Sequence, residues 1–214
     1  MRLVASDATG LPSSVVEHPP CKRNVVSSIL TGGSTQVEGV IAMNNQSFDA
    51  SKFGDLISAN SEYVDTFKYS ELTGSAARGL AIVTCMDSRI NPLSVVGMRS
   101  GDAKILRNAG ARVTEDVLRT LVLATYLLNV DRILVMPHTD CRMAQSEESN
   151  IHELIESKFG VDTRSLEFRV TKDQEAALET DINRVRAYPL IRKGVSVAGA
   201  IYDVKTGKID FKNF

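Results

Sequence analysis

Almost no net charge, no long apolar run and few cysteines are the first marks of this sequence. Its 25 Lys and Arg stand against 26 Asp and Glu, a formal charge of -1. No excess of one sign is available to hold a nucleic acid or an anionic membrane surface, so neither is expected as a partner. No stretch approaches the ~18 apolar residues of a membrane span. The N-terminus lacks the charged-then-apolar order of a signal peptide, which makes the cytoplasm the default compartment. Three cysteines, Cys21, Cys85 and Cys141, are too few, and odd in number, for a disulfide framework; in a cytosolic chain they leave metal binding or reactivity open. The rest is the composition of a soluble globular protein, 43% hydrophobic and 24% charged in 214 residues, enough for one sizeable core and too little for two comfortable domains.

Residues 1–42 differ from the remainder of the chain. They hold Pro12, Pro19 and Pro20, three of the six prolines, with many Ser and Thr and no useful helical or strand period. Such a segment cannot bury enough apolar surface to offset its ordering entropy, and it reads as a poorly ordered extension. It also resembles the translation of a transfer-RNA gene, the product of a start site placed too far upstream. In that case Met43 is the natural start, and 43–214 is a single catalytic domain.

From Met43 the pattern is regular. Phe53, Leu56, Ile57, Asn60, Val64 and Phe67 recur at helical spacing within 49–68. "GLAIVTC" (79–85) is a continuous apolar run fit for a central parallel strand. Pro92 suits the first turn of a short helix, and "AKILRNAG" (103–110) reads as a second strand. Thr114 is a candidate N-cap for a helix over 115–128, with Glu115 and Asp116 in its first turn, where acids suit the helix dipole. That helix is apolar almost all round, which predicts cover on two sides, by a sheet and by a second subunit. "RILVMPH" (132–138) is a third strand, helices come next near 149–159 and 172–187, and the chain closes as two strands joined at "KTGK". Strands alternating with helices predict an α/β fold, a mainly parallel central sheet flanked by helices with a C-terminal antiparallel strand pair.

The chemistry gathers at strand ends. Cys85 ends the first strand, and His138 and Cys141 stand just past the third in "PHTDCRM". Ligands of open parallel sheets collect outside the carboxyl ends of the strands, so these three side chains can converge on one edge. Two thiolates and an imidazole suit Zn²⁺, and three protein ligands leave the fourth position for water or a carboxylate. His-x-x-Cys lets two ligands come from one tight loop.

Cys85-Met86-Asp87-Ser88-Arg89, then Arg107-Asn108-Ala109-Gly110, then His138-Thr139-Asp140-Cys141 resembles the β-class carbonic anhydrases in order and spacing. The likeness runs from about residue 50 to 205. The resemblance implies one Zn²⁺ per subunit held by Cys85, His138 and Cys141, and a catalytic dyad of Asp87 and Arg89. In it the guanidinium forks onto the carboxylate, and the carboxylate accepts a hydrogen bond from zinc-bound water. Asp87 is also implied as an inhibitory fourth ligand: freed from Arg89, it can swing onto the metal. The implied reaction is reversible hydration of carbon dioxide to bicarbonate by zinc-bound hydroxide. Two thiolate ligands are expected to raise the pKa of that water and favour mildly alkaline pH. The family also includes carbonyl sulfide and carbon disulfide hydrolases with the same zinc site, and it builds that site at a dimer interface, so a homodimer or a tetramer of such dimers is implied.

One position departs from the family. Arg142 comes after the second cysteine, where glycine is usual; it must take an ordinary φ or accept strain. Asp140 either supports the site or is solvated. Asn108 and Gly110 are expected to shape the pocket floor through the backbone. His152 is expected on an exposed helix face, and His18 and Cys21 are assigned no role. A non-catalytic zinc protein and a thiol-redox protein are rival classes. The Asp87–Arg89 dyad argues against the first, and both the dyad and His138 argue against the second.

Overall fold

The computed structural model describes residues 50–214. The expectations for 1–42, for a start at Met43, and for His18 and Cys21 fall outside the described residues. The chain divides after Phe53. Ala50–Phe53 is a turn of 3-10 helix, and Gly54–Phe214 is a separate compact unit that contains every strand among the described residues.

The second unit begins with helix α1 (Gly54–Asp65) and strand β1 (Leu80–Cys85). Next come the one-turn helix α2 (Pro92–Val95), strand β2 (Ala103–Asn108), helix α3 (Glu115–Leu127) and strand β3 (Arg132–Met136). The short helix α4 (Arg142–Gln145) precedes α5 (Glu148–Phe159), α6 (Gln174–Ala187), β4 (Ser196–Tyr202) and β5 (Ile209–Lys212). Local chemistry accounts for several of these starts. Asn91 caps α2 by accepting from Ser94 N–H, and Pro92 opens it; a first-turn proline gives up no helical hydrogen bond. Thr114 caps α3 through Val117 N–H, and Asp173 caps α6 through Ala176 N–H, each filling a donor that the helix itself leaves unpaired.

The sheet runs β2-β1-β3-β4-β5. The first four strands are parallel, and β5 pairs antiparallel with β4, Gly199 opposite Lys212. The expected architecture is therefore the observed one. Side chains alternate across the sheet as the strand period of two requires. Ala81, Val83, Ile133 and Val135 face one side and pack with Leu118 and Leu121 of α3 and Leu178 and Ile182 of α6. Leu80, Ile82, Leu134 and Met136 face the other. That second face is covered by Ile90, Val96, Met98 and Met143, side chains of short turns rather than long helices. It leaves a groove of about 420 Å³ beside Leu80, Leu134 and Phe211.

Not every apolar residue at helical spacing is buried. α1 contains no buried residue at all, and Leu56, Ile57 and Val64 are more than half exposed. On α3, Val117, Leu118, Leu121 and Ala124 are buried, while Tyr126 and Leu127 point outward. The sheet thus covers one side of α3 within this chain, and the second cover expected from its composition is not supplied by the described residues.

Glycine is required where α6 crosses β4. A Cβ on Gly199 would lie 2.2 Å from Ile182 Cδ1 and 3.2 Å from Leu178, both fully packed side chains. Gly199→Val should therefore destabilise the unit by about 1–3 kcal/mol, the usual cost of overpacking. A lower urea midpoint with an unchanged slope would report it; an unchanged midpoint would show that α6 can move away from the sheet freely.

Candidate active site

Parallel pairing brings the predicted ligands together. β1 and β3 are direct neighbours, Thr84 opposite Met136, and the two strands end at the same edge. Cys85 is the last residue of β1. The Thr84 hydroxyl donates to Met136 O at 2.7 Å and ties the two ends together. Beyond β3, Tyr202 N–H donates to Pro137 O and Thr139 N–H donates to Tyr202 O, while Gln174 Nε2 donates to His138 O at 2.8 Å. The ligand loop is thus held to β4 and α6 by its backbone.

The Sγ atoms of Cys85 and Cys141 and a ring nitrogen of His138 lie within 4.8 Å of one another. All three residues are buried, His138 completely. His138 Nδ1 lies 2.8 Å from Thr139 O, which assigns its proton to Nδ1 and leaves the Nε2 lone pair facing the thiols. That Nε2 is buried with no hydrogen-bond partner. An orphaned buried acceptor is costly, and its position among two thiols fits a soft or borderline cation such as Zn²⁺. The charge balance points the same way. A hydrogen bond from Cys141, opposed by burial and helped by His138 and the backbone of Gly110 and Asp87, pulls the Cys85 pKa down to about 3. The same contact, together with burial, drives Cys141 upward. Burial pulls His138 down, but Cys85, the Thr139 backbone and Asp87 together raise it.

The dyad is formed. Asp87 Oδ1 accepts from Arg89 N–H at 2.9 Å and from Arg89 Nε at 3.0 Å, and Oδ2 accepts from Nη2 at 2.7 Å. Arg89 holds the Asp87 carboxyl well below the usual carboxylate range, first through these side-chain bonds and then through its backbone N–H. Asp87 is therefore an acceptor across the neutral range. Its Oδ2 is 3.8 Å from His138 Nε2, so the carboxylate borders the donor cluster while paired with Arg89.

Arg107 has a role that its strand position did not reveal. From the end of β2 its Nε donates to Cys85 O at 2.9 Å and its Nη2 to Asp87 O at 2.6 Å. It grips the backbone of the turn that presents both residues. Register explains the reach: Arg107 pairs with Thr84 and Asn108 with Cys85. Asn108 Nδ2 donates to Arg112 O at 2.7 Å, and its Oδ1 accepts from Arg112 N–H at 2.8 Å, so it shapes the turn through the backbone as expected. Gly110 has φ 79, and a Cβ there would lie 3.2 Å from Met143 Cβ. Both the conformation and the close approach call for glycine.

Three other expectations resolve. Arg142 is exposed and opens α4 with an ordinary φ; the left-handed residue of this loop is Asp140, φ 57. The departure from the usual glycine therefore causes no strain at Arg142. Asp140 joins the site, accepting from Arg89 Nη1 at 2.8 Å. His152 does not lie on a freely exposed face: it is half-buried, bonded to Thr163 Oγ1 at 2.9 Å, with its ring 5.2 Å from Phe168. The loop after α5 folds back over it, a contact that helical periodicity does not encode.

A buried pair of thiols and an imidazole at the carboxyl edge of a parallel sheet, bordered by a carboxylate–guanidinium pair, is a donor set that could hold a metal ion in an α/β enzyme fold. The family model described as carbonic anhydrase matches residues 80–209. The β-carbonic anhydrase 1 of Mycobacterium tuberculosis is 32% identical over 157 residues, covering 73% of this chain and 94% of that protein. A carbon disulfide hydrolase of Saccharolobus solfataricus is 31% identical over 156 residues, covering 62% of this chain and 76% of its own length. Among solved structures, the carbonic anhydrase of Streptococcus mutans superposes with a TM-score of 0.71 at 38% identity, covering 75% of this chain and 97% of that one. The chain belongs to the carbonic anhydrase family, in its β class.

Each donor is expected to be indispensable, because three ligands leave no spare. Cys85→Ser, His138→Ala and Cys141→Ser should each reduce bound zinc at least about tenfold by elemental analysis after dialysis, since even the loss of a group that merely orients a ligand costs about 10–100-fold in affinity. Full zinc in any one of them would remove that residue from the ligand set.

Proposed function

We propose that this chain catalyses the reversible hydration of carbon dioxide to bicarbonate at a zinc ion held by Cys85, His138 and Cys141. The observation that supports this most is the unpartnered, fully buried His138 Nε2 facing two cysteines, with the Asp87 carboxylate at its border. When bound, zinc would lower the pKa of a coordinated water toward ~7 and so supply the nucleophile near neutral pH. The protein's own residues do the rest. Thr139 O fixes the His138 tautomer. Arg107 holds the Cys85–Asp87 backbone in place. Arg89 keeps Asp87 ionised and so able to accept a hydrogen bond at the site. The same Asp87 would be free to serve as a fourth ligand if that pairing broke.

Hydrolysis of carbonyl sulfide or carbon disulfide is the second reading, favoured by the relatives that bear the latter name. The substrates are linear and differ in size and polarity, so the walls of the approach decide between them. Stopped-flow turnover should be faster for carbon dioxide than for either sulfur compound, and Asp87→Asn should keep most of the zinc while losing about tenfold or more in kcat/KM, since a hydrogen bond to a charged group is worth about 1.5–3 kcal/mol. Carbonyl sulfide or carbon disulfide turned over faster than carbon dioxide would reverse the preference. We read residues 1–42 as dispensable, so the chain beginning at Met43 should give the same rates.

We also read the protein as a cytoplasmic homodimer, or a tetramer built from such dimers. No helix among the described residues is long and apolar enough to cross a membrane. Support for the dimer comes from α1, whose Leu56, Ile57 and Val64 are exposed, and from the outward Tyr126 and Leu127 of α3. Apolar faces of this extent mark contact surfaces. Sedimentation at micromolar concentration should show at least twice the chain mass; a monodisperse monomer would refute the assembly.

A further inference from the structure

We propose that Asp140, braced by Gln145, is a positioning residue that clamps the Arg89 guanidinium and so sets where the Asp87 carboxylate rests. Arg89 is bonded on two sides. Its Nε and Nη2 fork onto Asp87. Its Nη1 donates to Asp140 Oδ2 at 2.8 Å, and its Nη2 donates also to Asp140 O at 3.2 Å. The other Asp140 oxygen accepts from Gln145 Nε2 at 2.8 Å. Both carboxylate oxygens and the carbonyl of one residue are thus committed to a single arrangement.

The arrangement is needed because nothing else among the described residues fixes Arg89. Its side chain is 45% exposed, it stands on the turn that carries Asp87, and long exposed side chains keep most of their rotamers. Bonds to Asp87 alone would let the pair rotate together. The contact with Asp140, on the loop after β3, ties the guanidinium to a second segment of chain. The left-handed backbone of Asp140 (φ 57) is one that aspartate tolerates better than most residues, and this same residue presents both its side chain and its carbonyl to Arg89.

The consequence comes from the short distance on the other side of Asp87. Its Oδ2 is 3.8 Å from His138 Nε2, so a modest rotation takes the carboxylate from Arg89 to the donor cluster. An exposed ion pair biases such an equilibrium by only a few fold, up to about fivefold. That is sufficient to change the fraction of molecules with an open site, and apparent affinity scales with that fraction. Asp140 acts on Arg89 and not on substrate. Its catalytic consequence rests on the metal-centre reading of Cys85, His138 and Cys141, whereas the clamp itself does not.

The test separates the two. In the full chain, the Nε–Hε resonance of Arg89, assigned through Arg89→Lys, should be resolved and slow to exchange with water. Asp140→Gly, which suits the left-handed backbone, should speed that exchange several-fold. Gln145→Ala should give a smaller change in the same direction, and Asp140→Asn, which keeps an acceptor, should largely restore the wild-type signal. In the cobalt-substituted protein, thiocyanate competes with Asp87 for the metal; its apparent Kd should rise, by at most about fivefold, in Asp140→Gly and by less in Asp140→Asn. An Arg89 resonance indifferent to Asp140→Gly and Gln145→Ala overturns the clamp. A changed resonance with unchanged thiocyanate affinity overturns its control of Asp87. Wild-type protein that takes up neither zinc nor cobalt sinks the metal-centre reading, and the resonance still decides the clamp.

Discussion

The adjacency of β1 and β3 in parallel register is the constraint on which the site depends. It sets Cys85 and the loop carrying His138 and Cys141 on one sheet edge, although the two segments are remote in sequence. Every other part of the site stabilises that meeting. The Thr84 hydroxyl joins the two strand ends, Arg107 reaches across from β2, and Gln174 reaches from α6 to His138 O. Three different elements therefore hold two short turns whose own sequences could not fix the positions of their side chains. Parallel strands end in exposed backbone groups, and here side chains and neighbouring strands satisfy those groups while presenting ligands.

The electrostatics of the edge arise from burial on one side and exposure on the other. The donor trio lies inside, where two thiols and an orphaned imidazole nitrogen suit a cation. Asp87 and Arg89 lie at the rim, with 20% and 45% of their side chains exposed. Charge pairing there contributes little to stability. It governs the direction in which a carboxylate points, and a difference worth little to the fold is sufficient for that.

The two faces of the sheet are covered unequally. α3 and α6 seal one with a continuous core, while short turns cover the other and α1 buries nothing. Of the four longer helices only α3 and α6 enter the core, and both lie on the same face. The apolar residues left outside α1 and α3 are the part of the hydrophobic pattern that the described residues do not satisfy by themselves, which is why the assembly reading rests on them.

The sequence by itself determined the strands and helices, their order, the parallel class of the sheet and the identity of the metal-ligand candidates. Local periodicity, capping residues and strand-end position are properties of short segments, and they are readable wherever packing agrees with them. Thr114 capping α3 and Cys85 ending β1 are such cases. The tertiary structure decided what depends on contacts between distant segments. Arg107 lies in a strand and gave no local sign that it would hold the backbone of Cys85 and Asp87. Asp140 was ambiguous until the loop after β3 met Arg89, because a polar residue beside a ligand can as readily face water. His152 left its exposed face because a later loop folded over it, and Arg142 escaped strain because Asp140 took the left-handed conformation instead. Residue type fixes what chemistry a side chain can do, but only the packing of remote segments fixes its partner.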